Sequence, residues 1–175
     1  AKVAVAKGVP TLVEFFGVGC AQRMAANGQQ ADLIIGNNVL AQVTDLNDFV
    51  AGMKLLLKPT GVMTLEFPHL IRLVEGNQFD TIYHEHFSYF SFLTAEKIFA
   101  AHGITLFDVE ELSTHGGSLR IYGRHTADHS KPIGERVSAM RALEMQAGIL
   151  ELTYYQAFAE QVKETKRKLL NFLIA

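Results

Sequence analysis

Apolar and polar positions alternate in two rhythms along this chain, and the rhythm changes near Pro132. Before it, short apolar runs are separated by segments of helical periodicity. Thr11-Leu12-Val13-Glu14-Phe15-Phe16, introduced by Gly8-Val9-Pro10, is β-rich and predicts a strand. Ala31-Asp32-Leu33-Ile34-Ile35-Gly36 predicts a second, near-continuous in its apolarity as strands buried on both faces are. Between them, Cys20 to Ala26 reads as a helix ending at Asn27-Gly28. Asp45 is a good N-cap for the next helix, where Leu46, Phe49, Val50, Met53, Leu56 and Leu57 form one stripe. Lys54 and Lys58 complement its C-terminus, and Pro59-Thr60-Gly61 stops it. Gly61 to Phe67 predicts a third strand, closed by Pro68. Thr94 caps a short helix through Ile98 and Phe99 that stops at His102-Gly103. Ile104 to Val109 and Leu119 to Tyr122 predict two further strands, joined through His115-Gly116-Gly117.

Strands alternating with helices of this size predict an α/β fold with a parallel, wound sheet and a hairpin on its edge. After Pro132, Val137, Met140, Ile149, Leu152, Tyr155, Phe158, Val162 and Leu169 recur at three- and four-residue steps. They predict one long amphipathic helix or two stacked ones. Lys163, Lys166, Arg167 and Lys168 near its end read as a solvated face.

The composition narrows the function classes. A chain of 175 residues with 49% hydrophobic residues and 12 Phe has ample material for a core. A net charge of −2 leaves no electrostatic footprint for nucleic acid. The single cysteine, Cys20, excludes an intramolecular disulfide framework and suits a reducing, cytoplasmic setting. No apolar run reaches the roughly 18 residues of a membrane helix.

The chemistry concentrates in Asp80-Thr81-Ile82-Tyr83-His84-Glu85-His86-Phe87-Ser88-Tyr89. Two imidazoles, two carboxylates and two phenols stand together in a chain that is only 19% charged. Held against Ile82 and Phe87, such groups are raw material for acid–base catalysis. Three readings of His84-Glu85-His86 stand side by side. In an extended segment the two histidines point the same way and would chelate a metal, with His69 or Glu85 as a third ligand. They would equally serve as buried histidines satisfied by hydrogen bonds. In the third reading a neutral imidazole takes a proton, a carboxylate orients it and a phenol supports developing negative charge.

Other motifs are weaker. Gly17-Val18-Gly19 suggests a nucleotide-binding loop, but the third glycine of that pattern falls at Gln22. Gly36-Asn37-Asn38 lies at the C-terminal end of a strand, where open α/β sheets bind ligands, although Asn also favours turns. His115-Gly116-Gly117-Ser118 has two readings: a tight turn, which its glycines suit, or substrate contacts through its His and Ser.

Read in order, Asp32-Leu33-Ile34-Ile35-Gly36-Asn37-Asn38-Val39-Leu40-Ala41, Leu65-Glu66-Phe67-Pro68-His69, Asn77 through Tyr89 and His115-Gly116-Gly117-Ser118-Leu119-Arg120 resemble the S-adenosylmethionine-dependent sugar C-methyltransferases. These act on nucleotide-linked keto-deoxysugars. The resemblance implies a class I methyltransferase, Rossmann-like sheet whose last strands form an antiparallel edge hairpin. It implies that His86 is the general base that makes an enolate, with Tyr83 and Glu85 positioning the sugar and supporting that enolate. It places Phe16, Gly36, Asn37 and Gln42 at the S-adenosyl-L-methionine site and implies no metal. Gln42 stands where the family usually has His, and Glu14 where Asp usually precedes the Phe-Phe pair.

The family's four-cysteine zinc module and acidic-glycine loop have no counterpart in the chain. The resemblance therefore implies a central fragment: residues 1–125 as the later part of the cofactor domain, and residues 126–175 as a helical linker into a further domain. By itself such a fragment is expected to bind cofactor poorly, not to turn over, and to form homo-oligomers through exposed sheet edges. Two rival functions stay open: metal-assisted hydrolysis through His84 and His86, and a non-catalytic interaction module.

Overall fold

A computed structural model describes residues 1–174. Its elements follow in the order α1 (Lys2–Ala6), α2 (Val18–Ala26), β1 (Ala31–Asn37), α3 (Leu46–Leu56), β2 (Leu57–Pro68), α4 (Leu70–Glu75), α5 (Phe92–Ala101), β3 (Ile104–Leu112), β4 (Ser118–His125), α6 (Glu135–Ala147) and α7 (Leu152–Ile174). The four strands form one sheet in the order β1-β2-β4-β3. β1 and β2 are parallel, with α3 as their crossover, while β4 is antiparallel to both β2 and β3. The α/β class and the edge hairpin agree with the sequence reading, and only one of the three strand pairs is parallel.

β2 holds the sheet together. Met63, Leu65 and Phe67 alternate onto one face and are fully buried, as the two-residue period of a strand requires. Phe49, Val50 and Met53 of α3, Phe92, Ala95 and Phe99 of α5, and Val137 and Met140 of α6 join them in one core. The opposite face is polar where β2 meets the hairpin. There Arg120 of β4 lies between Glu66 of β2 and Glu110 of β3, its register partners on either side.

Several expectations are corrected. Thr11–Phe16 is not a strand: among the described residues no element pairs with it, and Leu12, Val13 and Phe15 are exposed. An apolar run becomes a strand only when a neighbour completes its ladder. β1 is not buried on both faces: it is the edge strand, and among the described residues nothing covers its outer face, where Leu33 and Ile35 are 53% and 64% exposed. β2 begins at Leu57, so Lys58 belongs to the strand, where it pairs with Asp32 rather than with the end of α3. Pro59 is tolerated because the sheet is only entering register at that end.

The cap of α5 is Ser91, whose hydroxyl accepts from Thr94 N; Thr94 is the third residue of the helix, not its cap. The C-terminal pattern resolves into two helices separated at Gly148, whose left-handed φ of 76° terminates α6. α6 packs on the sheet, whereas α7 has no buried residue; Leu152 and Leu169 of the expected stripe are exposed. Asp45 caps α3 as expected, accepting from Asp48 N at 2.9 Å.

The Gly17-Val18-Gly19 motif has a packing explanation. Asp48 of α3 accepts a hydrogen bond from Val18 N at the start of α2, and the two helices touch through glycine. A Cβ on Gly52 would lie 2.7 Å from Gly17 C, 2.9 Å from its oxygen and 3.0 Å from Val18 N. All three are backbone atoms and cannot swing aside. Alanine is the better helix former by about 1 kcal/mol, but overpacking of this kind costs about 1–3 kcal/mol. Gly52→Ala is therefore expected to lower stability by about 1 kcal/mol or more in urea denaturation, opposite in sign to propensity. A stabilised variant would show that the helices separate freely.

Candidate active site

The C-terminal ends of β1 and β2 and the turn between β3 and β4 converge on one edge of the sheet, because β4 runs antiparallel and begins where β2 ends. A cleft of about 220 Å³ opens there, lined by Asn38, Ala41, Gln42, Pro68, Thr81, Tyr83, His86 and His115. Open α/β sheets bind ligands at this edge.

Each wall has a local cause. Asn38 follows β1 in the left-handed region, with φ of 52°, and donates its N–H to Glu66 O at 2.8 Å. Asn tolerates that conformation better than most residues. A 3-10 turn at Leu40–Gln42 then buries Leu40 and Ala41 and leaves Gln42 facing outward. The Ala41 carbonyl accepts from Phe87 N at 2.8 Å and Ser88 N at 3.2 Å, which clamps the segment carrying the histidines against that turn.

That segment is not extended. His86 N donates to Tyr83 O at 3.1 Å, so residues 83–86 form a turn. The turn sends His84 and His86 to different surfaces, and the shared direction a chelate would need is lost. His86 lines the cleft with Tyr83; His84 lines a neighbouring hollow with Glu85, Phe87 and Gln42. His69, the alternative third ligand, is fully buried and bound to Glu144 at 2.8 Å. Among the described residues no group of three His, Cys, Asp or Glu side chains is placed to hold a metal ion. The expected burial of the segment against Ile82 and Phe87 is also corrected, since these are 54% and 59% exposed.

His86 itself is half-buried and oriented. Its Nδ1 lies 3.1 Å from the Thr81 carbonyl, which only accepts, so Nδ1 carries the proton. In the neutral ring Nε2 then presents its lone pair, 3.4 Å from the Tyr83 hydroxyl. The rings of Tyr83 and His86 lie 4.6 Å apart and tilted, and Tyr89 approaches the same imidazole edge-on at 6.0 Å. This arrangement offers a proton acceptor with a phenol beside it, the parts needed for proton abstraction.

The turn carrying His115 is braced by the polar side of the sheet. Buried Glu66 accepts from Thr114 Oγ1 at 2.9 Å and from Arg120 at 3.0 Å. Arg120 is bracketed in turn by Glu110, whose carboxyl is held below the ordinary carboxylate range chiefly by the Tyr122 hydroxyl. Burial, reinforced by Glu110, raises Tyr122.

Of the residues expected at the site, the structure brings together His86, Tyr83 and Gln42. Glu85 faces the adjacent hollow and shares only Gln42 with the cleft. Gly36 and Asn37 precede it, and Asn38, not Asn37, lines it. Phe16 packs edge-to-face on Phe49 with centroids 5.5 Å apart, as part of the core. Of the other lining residues, Thr81 was not expected at the site, whereas Asn38 and His115 were candidates. Asn38 and His115 carried a sequence signal, as polar residues at strand ends beside glycine.

Residues 113–175 match the family described as C-methyltransferase C-terminal domain. C-methyltransferase NovU of Streptomyces niveus is 35% identical over 179 residues, covering 100% of this chain and 42% of that protein. The chain thus spans less than half the length of the curated relative it matches. Among solved structures, a SAM-dependent methyltransferase from Thermotoga maritima is similar at 18% identity and a TM-score of 0.44, over 53% of this chain and 55% of that one. Magnesium protoporphyrin IX methyltransferase from Synechocystis PCC 6803 is similar at 14% identity and a TM-score of 0.43, over 54% and 44%.

Proposed function

Because this chain belongs to the family of S-adenosylmethionine-dependent C-methyltransferases, we propose that the protein methylates a carbon beside the ketone of a nucleotide-linked keto-deoxysugar, with His86 as the base. The observation that carries this reading is the His86 imidazole, fixed through Nδ1 on the Thr81 carbonyl so that Nε2 lies 3.4 Å from the hydroxyl of Tyr83, which lines the same cleft. A carbon acid needs such a base; a hydroxyl or amine acceptor needs it less. His86 Nε2 takes the proton from carbon, the electron pair moves onto the ketone oxygen, and the Tyr83 hydroxyl donates to that oxygen.

The donor set suits the cofactor. The lining of the cleft includes the neutral amides Asn38 and Gln42 and neither a Lys nor an Arg. That is a poor site for phosphate and a compatible one for an uncharged nucleoside attached to a sulfonium. Gly36 and Asn37 lead into this rim, and with Gln42 they are the residues proposed to hold the cofactor. When bound it supplies an electrophilic methyl group. Phe16, engaged with Phe49, is not proposed to touch it. Glu85 keeps a proposed role in holding the sugar from the adjacent hollow.

The division into residues 1–125 and a helical segment 126–175 follows α6 and α7, which come after the last strand. The open edge of β1 supports a homo-oligomer, and the buried free Cys20 supports a cytoplasmic setting. No helix among the described residues is long and apolar enough to cross a membrane.

The test is proton exchange. A nucleotide-linked keto-deoxysugar incubated with the full-length protein in D₂O, without cofactor, is expected to exchange the proton beside the ketone. With cofactor added, the product is expected to carry the new methyl on carbon. Methyl on oxygen, or no exchange, would overturn the reading.

A further inference from the structure

Three residues other than glycine adopt a left-handed backbone among the described residues: Asn38, Asn77 and His115. Two of them line the cleft. Asn and His are the non-glycine residues found there more often than most, yet sparsely populated conformations of this kind still cost of order 1 kcal/mol and cluster at functional sites. His115 has φ of 51° and ψ of 37°, and it is followed by Gly116 and Gly117 at φ of 77° and 119°. Three successive residues therefore have positive φ, and glycine fills two of the positions. At the remaining one, where glycine would be the least strained choice, there is an imidazole.

The surroundings hold that turn from several sides. Thr114 Oγ1 donates to buried Glu66, Gln78 Nε2 donates to Gly116 O at 2.9 Å, and His69 N donates to Gly117 O at 3.0 Å. A Cβ on Gly116 would meet the Gln78 amide at 2.5 Å, and one on Gly117 would meet Arg72 Cβ at 2.7 Å. Gly117 is thus required by close packing on Arg72, and Gly116 by its left-handed φ, since the Gln78 amide ends a flexible side chain. His115 is the member of the trio whose side chain faces the cleft shared by His86 and Tyr83.

We propose that His115 is a further catalytic residue: its ring N–H donates a hydrogen bond to the ketone oxygen as negative charge develops there, opposite the proton abstraction by His86. The inference rests on the carbon-methylation reading above. When His86 Nε2 takes the proton, the C–H electron pair becomes the enolate π bond and the former carbonyl pair moves to oxygen. Tyr83 and His115 then share that oxyanion. Removing one such donor costs about 10²–10³-fold in other enzymes.

Backbone and side-chain roles separate cleanly at this position. Glycine accepts a left-handed φ better than histidine does, so a residue serving only the turn would be replaced by glycine without loss. His115→Gly in the full-length protein is expected to unfold at an equal or higher urea concentration than the native protein. It is also expected to exchange the substrate proton in D₂O at least tenfold more slowly at saturating substrate, with a smaller change in KM. His115→Asn, which keeps a donor and tolerates the same φ, is expected to recover part of the rate. If the native protein exchanges the proton and His115→Gly stays within twofold of it, this inference is overturned and the assignment of His86 stands. If the native protein shows no exchange, the carbon-methylation reading is overturned, and the inference with it.

Discussion

Replacing His86 with alanine is expected to slow proton exchange and carbon methylation by about 10²–10⁴-fold, the range a positioned general base contributes. The urea midpoint should hardly change. The ring is only half-buried, and its hydrogen bonds to the Thr81 carbonyl and the Tyr83 hydroxyl are made in a turn that the Ala41 carbonyl already clamps through Phe87 N and Ser88 N. His84→Ala is the matched control. His84 is exposed on the adjacent hollow beside Glu85, so its loss should change substrate affinity more than turnover. Single-turnover exchange measured for both variants ranks them directly. A larger rate loss for His84→Ala would refute the assignment.

How far the sequence discloses this site depends on the range of the interactions. Asp45 and its apolar stripe specify α3 locally, through a cap three residues from its partner N–H. The alternation of Met63, Leu65 and Phe67 and the glycine turn of the hairpin are equally local, and both elements were legible. Thr11–Phe16 has the composition of a strand yet pairs with nothing, because strand formation needs a neighbour that no local pattern reveals.

The same limit applies at the cleft. The crowding of Tyr83, His84 and His86 marked the segment as chemical, but the turn at His86 N decides which histidine enters the cleft. An extended reading of the segment sends both the same way. Thr94 looked like a cap by composition, and Ser91, three residues earlier, took that place because its hydroxyl reaches Thr94 N. His115 stood out as a residue beside two glycines and a candidate substrate contact, with nothing to join it to His86. Its proximity to His86 comes from β4 running back along β2, a tertiary fact.

The least legible feature has the second large consequence. Glu144 of α6 is fully buried; it falls on the stripe of Val137 and Met140, and its charge is what conceals that position in the sequence. Its carboxylate accepts from His69 Nε2 at 2.8 Å, from Phe92 N at 2.5 Å and from Leu93 N at 2.8 Å. It therefore neutralises the first two N–H groups of α5 and joins that helix to the residue after β2. His69 and Phe90 also bridge, and Leu70 N donates to Phe90 O at 3.0 Å, so the clasp fixes the far end of the loop that carries Tyr83 and His86.

Glu144→Ala would strand two buried donors, His69 Nε2 and Phe92 N, and the part-buried N–H of Leu93. Each buried donor left unsatisfied costs about 1–3 kcal/mol, together a large part of the roughly 5–15 kcal/mol that holds a typical domain folded. Urea denaturation of Glu144→Ala is expected to show a loss of that size, or an unfolded chain. Glu144→Gln keeps one acceptor oxygen for the α5 N–H groups but turns an amide donor toward His69, and should fall between alanine and the native protein. It should also remain folded enough for the exchange assay, where a displaced loop would lower the His86-dependent rate. An alanine variant within about 0.5 kcal/mol of the native protein, the range typical of surface substitutions, would mean that water reaches this junction and that the loop carrying His86 is anchored elsewhere.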